Sequence, residues 1–162
     1  MDAGLGKVTA RGRITLLAPT HLIREAVERH EVDGLQVDFH LAPGTEAPAE
    51  MHMFFPELGV AVNNILWPTL FNVFAIRGEE YRDPRILLRG LDQMAALGAG
   101  YLLGAHGPPL EGHETILETT TLYRDSIQYL WDQTVRGANL GLTLDELIAF
   151  VQLPEHYAEN FY

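Results

Sequence analysis

Residues 35–51 read LQVDFHLAPGTEAPAEM, and the two halves of that string carry different information. Leu35, Val37, Phe39 and Leu41 alternate with Gln36, Asp38 and His40. A period of two is the pattern of a strand with one buried face. Pro43 and Gly44 stop it, and Pro43 to Glu50 becomes a loop with two carboxylates, Glu46 and Glu50. Loops at strand ends are where α/β proteins collect function, although a solvated acidic loop is the commoner outcome.

Upstream of this string, Gly4 to Gly12 is glycine-rich and basic and reads as a loop. Arg13 to Ala18 is a short apolar strand ended by Pro19. Thr20 can cap a helix running to about His30, with Leu22, Ile23, Ala26 and Val27 on one face. Downstream, Met51–Phe55 and Gly59–Asn63 are two further strands joined by a turn at Pro56-Glu57-Leu58. Asp83-Pro84 opens a helix, cap followed by proline at the first helical position. Its apolar stripe is Leu87, Leu91, Met94 and Ala95, and Gly98 ends it. Tyr101–Ala105 is a short strand, followed by the turn His106-Gly107-Pro108-Pro109.

From there the character changes. A long helix spans about Glu114 to Arg136, with Ile116, Tyr123, Ile127, Leu130, Trp131 and Val135 on its buried face. Thr143-Leu144-Asp145-Glu146 is a capping box for a helix that ends near Gln152. The fold class is therefore α/β to residue 112 and α-helical from residue 113 to 162. The sheet portion is small, and an exposed apolar face in need of a partner is expected.

Composition narrows the function. The 162 residues carry 22 acidic and 11 basic side chains, a formal net charge of -11. Such a surface repels nucleic acid and anionic lipid. It leaves anionic small molecules open, because a bound cation inverts the local field. With no cysteine, thiolate metal sites and thiol nucleophiles are excluded. Met1 to Arg13 has no apolar core of a signal peptide and no apolar run is of spanning length. A soluble chain, cytoplasmic by default, is the expectation. Phosphate-loop and dinucleotide glycine patterns are missing, and the single serine, Ser126, lies mid-helix, which argues against serine hydrolase chemistry.

Three segments remain as candidates for chemistry. The first is the Glu46 loop. The second runs from Asn63-Asn64 to Arg77, where Asn72 and Arg77 interrupt an otherwise apolar stretch. A buried arginine needs a partner, and an anion is one option beside an internal ion pair. The third is His106, at a rigid strand end suited to a metal ligand, although a lone turn histidine is more often just exposed. His21 and His30 fall on the expected first helix, and His40 and His52 lie opposite the apolar faces of their strands. His113 and His156 flank helices. No two histidines share a metal-binding spacing.

Taken together and in order, these segments resemble the alkylsulfatase branch of the metallo-β-lactamase superfamily. The resemblance rests on Gly4-Leu5-Gly6-Lys7, Ala18-Pro19-Thr20-His21, the string from Pro43 to Met51, Phe55-Pro56-Glu57-Leu58, and Thr69-Leu70-Phe71-Asn72. It continues through Ile76-Arg77-Gly78, Ala105-His106, Asp132-Gln133-Thr134 and Gly141-Leu142-Thr143. It implies part of an αββα metallo-β-lactamase sandwich over residues 1–112, and the start of a helical dimerisation domain over 113–162. It also implies two zinc ions, a metal-activated water and sulfate-ester hydrolysis. By the same resemblance Glu46 matches a ligand of one zinc, His106 a ligand of the other, and Asn72 and Arg77 hold the sulfate.

Two departures from the family pattern stand out. The His-x-His-x-Asp-His ligand string lies upstream of the segment this chain matches. The bridging glutamate falls on Asn64, or on Asn63 with the gap placed differently, and an amide cannot bridge two cations as a carboxylate does. The chain alone is therefore expected to be inactive as a sulfatase. Its partner is expected to be a second copy or a chain that supplies the missing half. The alternatives are a non-catalytic dimerisation protein derived from the fold, or a hydrolase of another ester.

Overall fold

A computed structural model describes residues 12–13, 15–67, 71–73 and 81–158. Six strands form one sheet in the order β1-β2-β3-β4-β5-β6: β1 (Val27–Val32), β2 (Leu35–Leu41), β3 (Met51–Phe55), β4 (Val60–Val62), β5 (Tyr101–Leu103) and β6 (Leu110–Glu111). All neighbours are antiparallel except β4 and β5. That parallel pair needs a crossover, and α1 (Pro84–Ala96) lies within it. Then come α2 (His113–Asn139), α3 (Leu144–Phe150) and α4 (Glu155–Ala158). No described helix is long and apolar enough to cross a membrane.

The α/β reading holds, with two corrections before residue 33. Residues 13 and 15–18 form no strand; Leu16 and Leu17 are about as exposed as side chains can be. The helix expected from Thr20 to His30 does not form either: residues 20–26 are loop, and Val27–Val32 is β1. The cause lies at Asp33-Gly34, the two residues between β1 and β2. Both have positive φ, 52° and 82°, as a two-residue hairpin turn with the favoured twist demands. That turn pairs Val32 with Leu35 and Val27 with His40, and the hairpin overrides a local apolar spacing that also suits a helix. A second addition is β6, two residues long and held by β5.

The register decides which face is core. His40 lies opposite His52, Phe54 opposite Ala61, and Ala61 opposite Leu102, so these side chains share one face. Helices α1 and α2 cover it. Ala61, Leu87, Leu91, Met94, Leu102, Ile116, Tyr123 and Ile127 form a single buried cluster there. The first half of α2 thus belongs to the same core as the sheet. His52, expected to point away from its strand's buried side, is fully buried on this helix-covered face. The opposite face carries Phe39, Leu41, Met51, Met53, Phe55 and Val62, all half-buried, with Tyr101 and Leu103 exposed. Val37, on the same side, is buried, so among the described residues this is an apolar face that is partly rather than fully exposed.

Helix caps follow the sequence. Asp83 accepts from the Arg85 N–H at 2.9 Å, ahead of Pro84. Thr143 and Glu146 form the reciprocal capping box. Helix α3 has no buried residue, and Leu144 and Ile148 are exposed.

Candidate functional site

The loop between β2 and β3 is wound tightly. Ala42 donates to the Glu50 carbonyl at 3.0 Å and Gly44 to the Ala47 carbonyl at 2.9 Å. Gly44 sits at φ 80°, where a side chain would be strained. Thr45 is buried; its hydroxyl donates to the Ala42 carbonyl at 2.7 Å. Its methyl packs on Gly90 of α1, where a Cβ would come within 2.4 Å of Thr45 Cγ2. The absence of a side chain at Gly90 therefore lets the helix seat this loop, and the seated loop presents Glu46.

Two amide donors and one cation converge on the Glu46 carboxylate. Asn64 Nδ2 donates to Oε2 at 3.1 Å and Asn72 Nδ2 donates to the same oxygen at 3.2 Å. The Arg82 guanidinium lies 3.7 Å from Oε1 and donates to Asn72 Oδ1. Asn72 and Arg82 are both buried. Two amides and a guanidinium thus offset the hydration this partly buried carboxylate gives up. Glu50 is close by and half-buried; burial first, and the Glu46 carboxylate second, push its carboxyl pKa up. The Asn72 backbone N–H donates at 2.9 Å to the Tyr123 hydroxyl on α2, which ties the helical segment to the site.

The ends of the parallel pair bring the third segment alongside. Asn63 N–H donates to the Leu103 carbonyl at 3.0 Å, continuing the β4–β5 ladder. Asn63 then folds its Oδ1 back onto the Ile65 N–H at 2.6 Å. Trp67 Nε1 donates to the Asn64 carbonyl at 3.0 Å, and its ring lies 4.2 Å, centroid to centroid, from the exposed His106 ring. Glu46, Asn64, Trp67 and His106 thus follow one another in contact. The site lies past the carboxyl ends of parallel strands, the usual place for function in an α/β sheet.

Of the residues singled out from the sequence, Glu46, Asn64 and Asn72 meet directly and His106 adjoins them through Trp67. Arg77 lies outside the described residues, as do Thr69, Leu70 and Ile76 to Gly78. Sequence reasoning misses Arg82, Trp67 and Tyr123 as site residues. Arg82 carries no signal of its own, because the Asp83-Pro84 helix start accounts for the local sequence. Tyr123 falls on the expected buried face of α2, and a buried tyrosine hydroxyl needs a partner.

As a metal centre the described residues fit in part. Glu46 and His106 are ligand types, and Asn64 Oδ1 is a buried acceptor without a hydrogen-bond partner among the described residues, free to face a cation or a donor. Among the described residues, neither Glu46 nor His106 belongs to a group of three His, Asp or Glu ligand atoms close enough to share an ion. Two ligands do not hold an ion tightly.

No family model matches the chain. A linear primary-alkylsulfatase of Pseudomonas sp. is 39% identical over 160 residues, which are 98% of this chain and 30% of that protein. The solved sec-alkylsulfatase Pisa1 of Pseudomonas sp. superposes with a TM-score of 0.79 at 31% identity, over 88% of this chain and 23% of its own. A double mutant of the same enzyme reaches a TM-score of 0.84 over 91% and 24%. A metallo-β-lactamase family protein of Thermus thermophilus shares the fold at a TM-score of 0.55 and 22% identity, over 70% of this chain and 37% of its own. The chain therefore spans less than a third of the length of the curated relative it matches.

Proposed function

We propose that this chain, which belongs to the alkylsulfatase-type family of metallo-β-lactamase-fold proteins, contributes the carboxylate-and-imidazole half of a centre that hydrolyses sulfate esters. The observation that carries the reading is the convergence of Asn64, Asn72 and Arg82 on Glu46. It fixes one carboxylate in direction at a sheet edge, which is what a ligand or charge-organising group requires. When bound there, metal ions such as zinc would supply a Lewis acid and a more acidic water; Glu46 would hold one ion and His106 the other. Asn72 and Arg77 are the residues proposed to hold the sulfate, since an amide and a guanidinium are donor types that suit a tetrahedral oxyanion; Asn72 is buried with its amide on Glu46 and Arg82, so it would reach a sulfate only by exchanging one of those partners. Asn64, at the bridging position, offers an amide, so a second ion lacks its shared carboxylate.

With so few ligands among them, these 162 residues alone are not a competent sulfatase, and the remaining ligands would come from a His-x-His-x-Asp-His segment outside them. Inorganic sulfate released from dodecyl sulfate, with metal content read in parallel, tests this. The chain alone should retain no stoichiometric zinc at Glu46 and His106 and release no sulfate. Co-expression with a segment bearing the histidine string should restore release, and Glu46→Ala should abolish it. Turnover by the chain alone would refute the half-site reading, and no turnover in the combined sample would refute sulfate-ester hydrolysis.

A second reading rests on the exposed Leu144 and Ile148 of α3 and the open sheet face. Here residues 113–162 act as a self-association module appended to 1–112, and the chain is non-catalytic. Sedimentation equilibrium distinguishes it, since this reading requires a stable, metal-independent dimer.

A further inference from the structure

The first hairpin creates a second cluster of ligand atoms, away from Glu46. Glu28 and His30 are two apart on β1 and so point to the same face. The loop before β1 brings His21 over them: the His21 and His30 rings meet edge to face with centroids 4.5 Å apart. His30 Nε2 lies 2.8 Å from Glu28 Oε2. One ligand atom from each of His21, Glu28 and His30 falls within 4.8 Å of the other two, and among the described residues no other trio does so.

The carboxylate is pre-set. Glu28 Oε1 accepts the backbone N–H groups of Arg24 and, at 2.9 Å, Glu25. One oxygen is thus spent on fixing the loop, and the other is left facing the imidazoles. Phe39, across the hairpin, packs 5.9 Å from the His30 ring and limits its rotation. An oriented carboxylate with its outer oxygen anchored by N–H donors is the arrangement that supports a metal ligand from behind.

We propose that His21, Glu28 and His30 form a surface site for a borderline divalent cation such as zinc or cobalt. Two imidazoles and one carboxylate are the donor set such ions select, and they leave one position of a tetrahedron open. Ligand atoms around a tetrahedral ion at ~2.0 Å stand roughly 3.3 Å apart. The cluster meets that spacing by small rotations of the exposed His21 and the half-buried His30. The single negative charge of the set offsets half of the cation's charge and leaves the bound ion able to take an anionic ligand at the open position.

Titration of the 162-residue chain with cobalt chloride, read by visible absorption, and with zinc chloride, read by calorimetry, tests the proposal. The wild-type chain and Glu46→Gln/His106→Gln should bind one equivalent with the tetrahedral cobalt bands. His21→Gln/His30→Gln should lose it, and Glu28→Gln, which keeps an oxygen for the two loop N–H groups, should weaken it at least by the roughly 10- to 100-fold that loss of a metal ligand's outer partner costs. Binding that survives His21→Gln/His30→Gln but vanishes in Glu46→Gln/His106→Gln overturns the assignment. So does absence of saturable binding in the wild-type chain. Because the two variant pairs separate the clusters, failure here leaves the reading of Glu46 intact, and the reverse also holds.

Discussion

Replacing Gly90 by alanine tests how the Glu46 loop is held. On helix propensity alone, Gly90→Ala in the interior of α1 should stabilise the fold by roughly 1 kcal/mol. The structure says otherwise. The new Cβ would stand 2.4 Å from Thr45 Cγ2 and 3.2 Å from Ile65 Cδ1, where ordinary carbon contacts are ~3.5–4.0 Å. Thr45 cannot simply rotate away, because it is buried and its hydroxyl is committed to the Ala42 carbonyl. Overpacking of this kind costs about 1–3 kcal/mol. Two overlaps at once place Gly90→Ala near the upper end, so a net loss of about 1–2 kcal/mol remains after the propensity gain. For a chain of this size that lowers Tm by roughly 3–6 °C. Thr45→Ser removes the opposing methyl and keeps the hydroxyl, so in the double variant the two losses should cancel in part, with a coupling above ~1 kcal/mol. Thermal and urea unfolding of all four chains gives the cycle. A Gly90→Ala chain more stable than wild type, or strict additivity with Thr45→Ser, would refute the reasoning.

Three further outcomes are expected. Tyr123→Phe strands the buried Asn72 N–H and should cost about 1–3 kcal/mol of unfolding free energy, a loss that a purely apolar role for Tyr123 would not produce. Arg82→Met leaves Glu46 without its cation and Asn72 Oδ1 without its donor, so unfolding should show a loss of about 3–5 kcal/mol; a neutral result would mean the guanidinium is dispensable to the site. Burial first, and the His40 ring second, lower the His52 pKa from 6.5 to about 4. Below 6.5 the unfolded chain then binds a proton that the folded chain refuses, so stability falls between pH 6.5 and 4, by about 3 kcal/mol from this group. Glu50, with its pKa raised, acts in the opposite direction as pH falls; the difference between wild type and His52→Met in urea midpoint across that range isolates the histidine and should shrink toward pH 4.

How much is legible in the sequence depends on where each signal lies. Strands β2 to β4 and helices α1 to α3 carry their own punctuation: strict alternation at Leu35 to Leu41, Asp83-Pro84, and the Thr143–Glu146 box. Strand β1 reads as a helix because Leu22, Ile23, Ala26 and Val27 recur at helical spacing, while the decisive information sits outside that window at Asp33-Gly34. Strand β6 has two residues and exists through pairing with β5, which no local pattern announces. In the site, Glu46, Asn64 and Asn72 stand out as polar residues in apolar or loop settings. Arg82 does not, because its neighbour Asp83 explains the local sequence as a helix cap. The meeting of His21 and His30, nine residues apart, depends on a loop folding back across a strand, and spacing rules written for single helices or strands are blind to it.

The one parallel pairing also orders events in time. Strands β1 to β4 are a meander in which each partner is a few residues away, so that part can assemble from local closures. Strand β5 joins only after residues 63–100, with α1 among them, have been laid across the sheet, and closing so long a crossover is the slow step in folds of this kind. The loop that carries Glu46 joins two of the early strands, but Asn72, Arg82 and Gly90, which hold and seat it, lie in the crossover, and His106 follows β5. Both halves of the site therefore wait on that connection, and assembly of the site becomes a report on completion of the crossover.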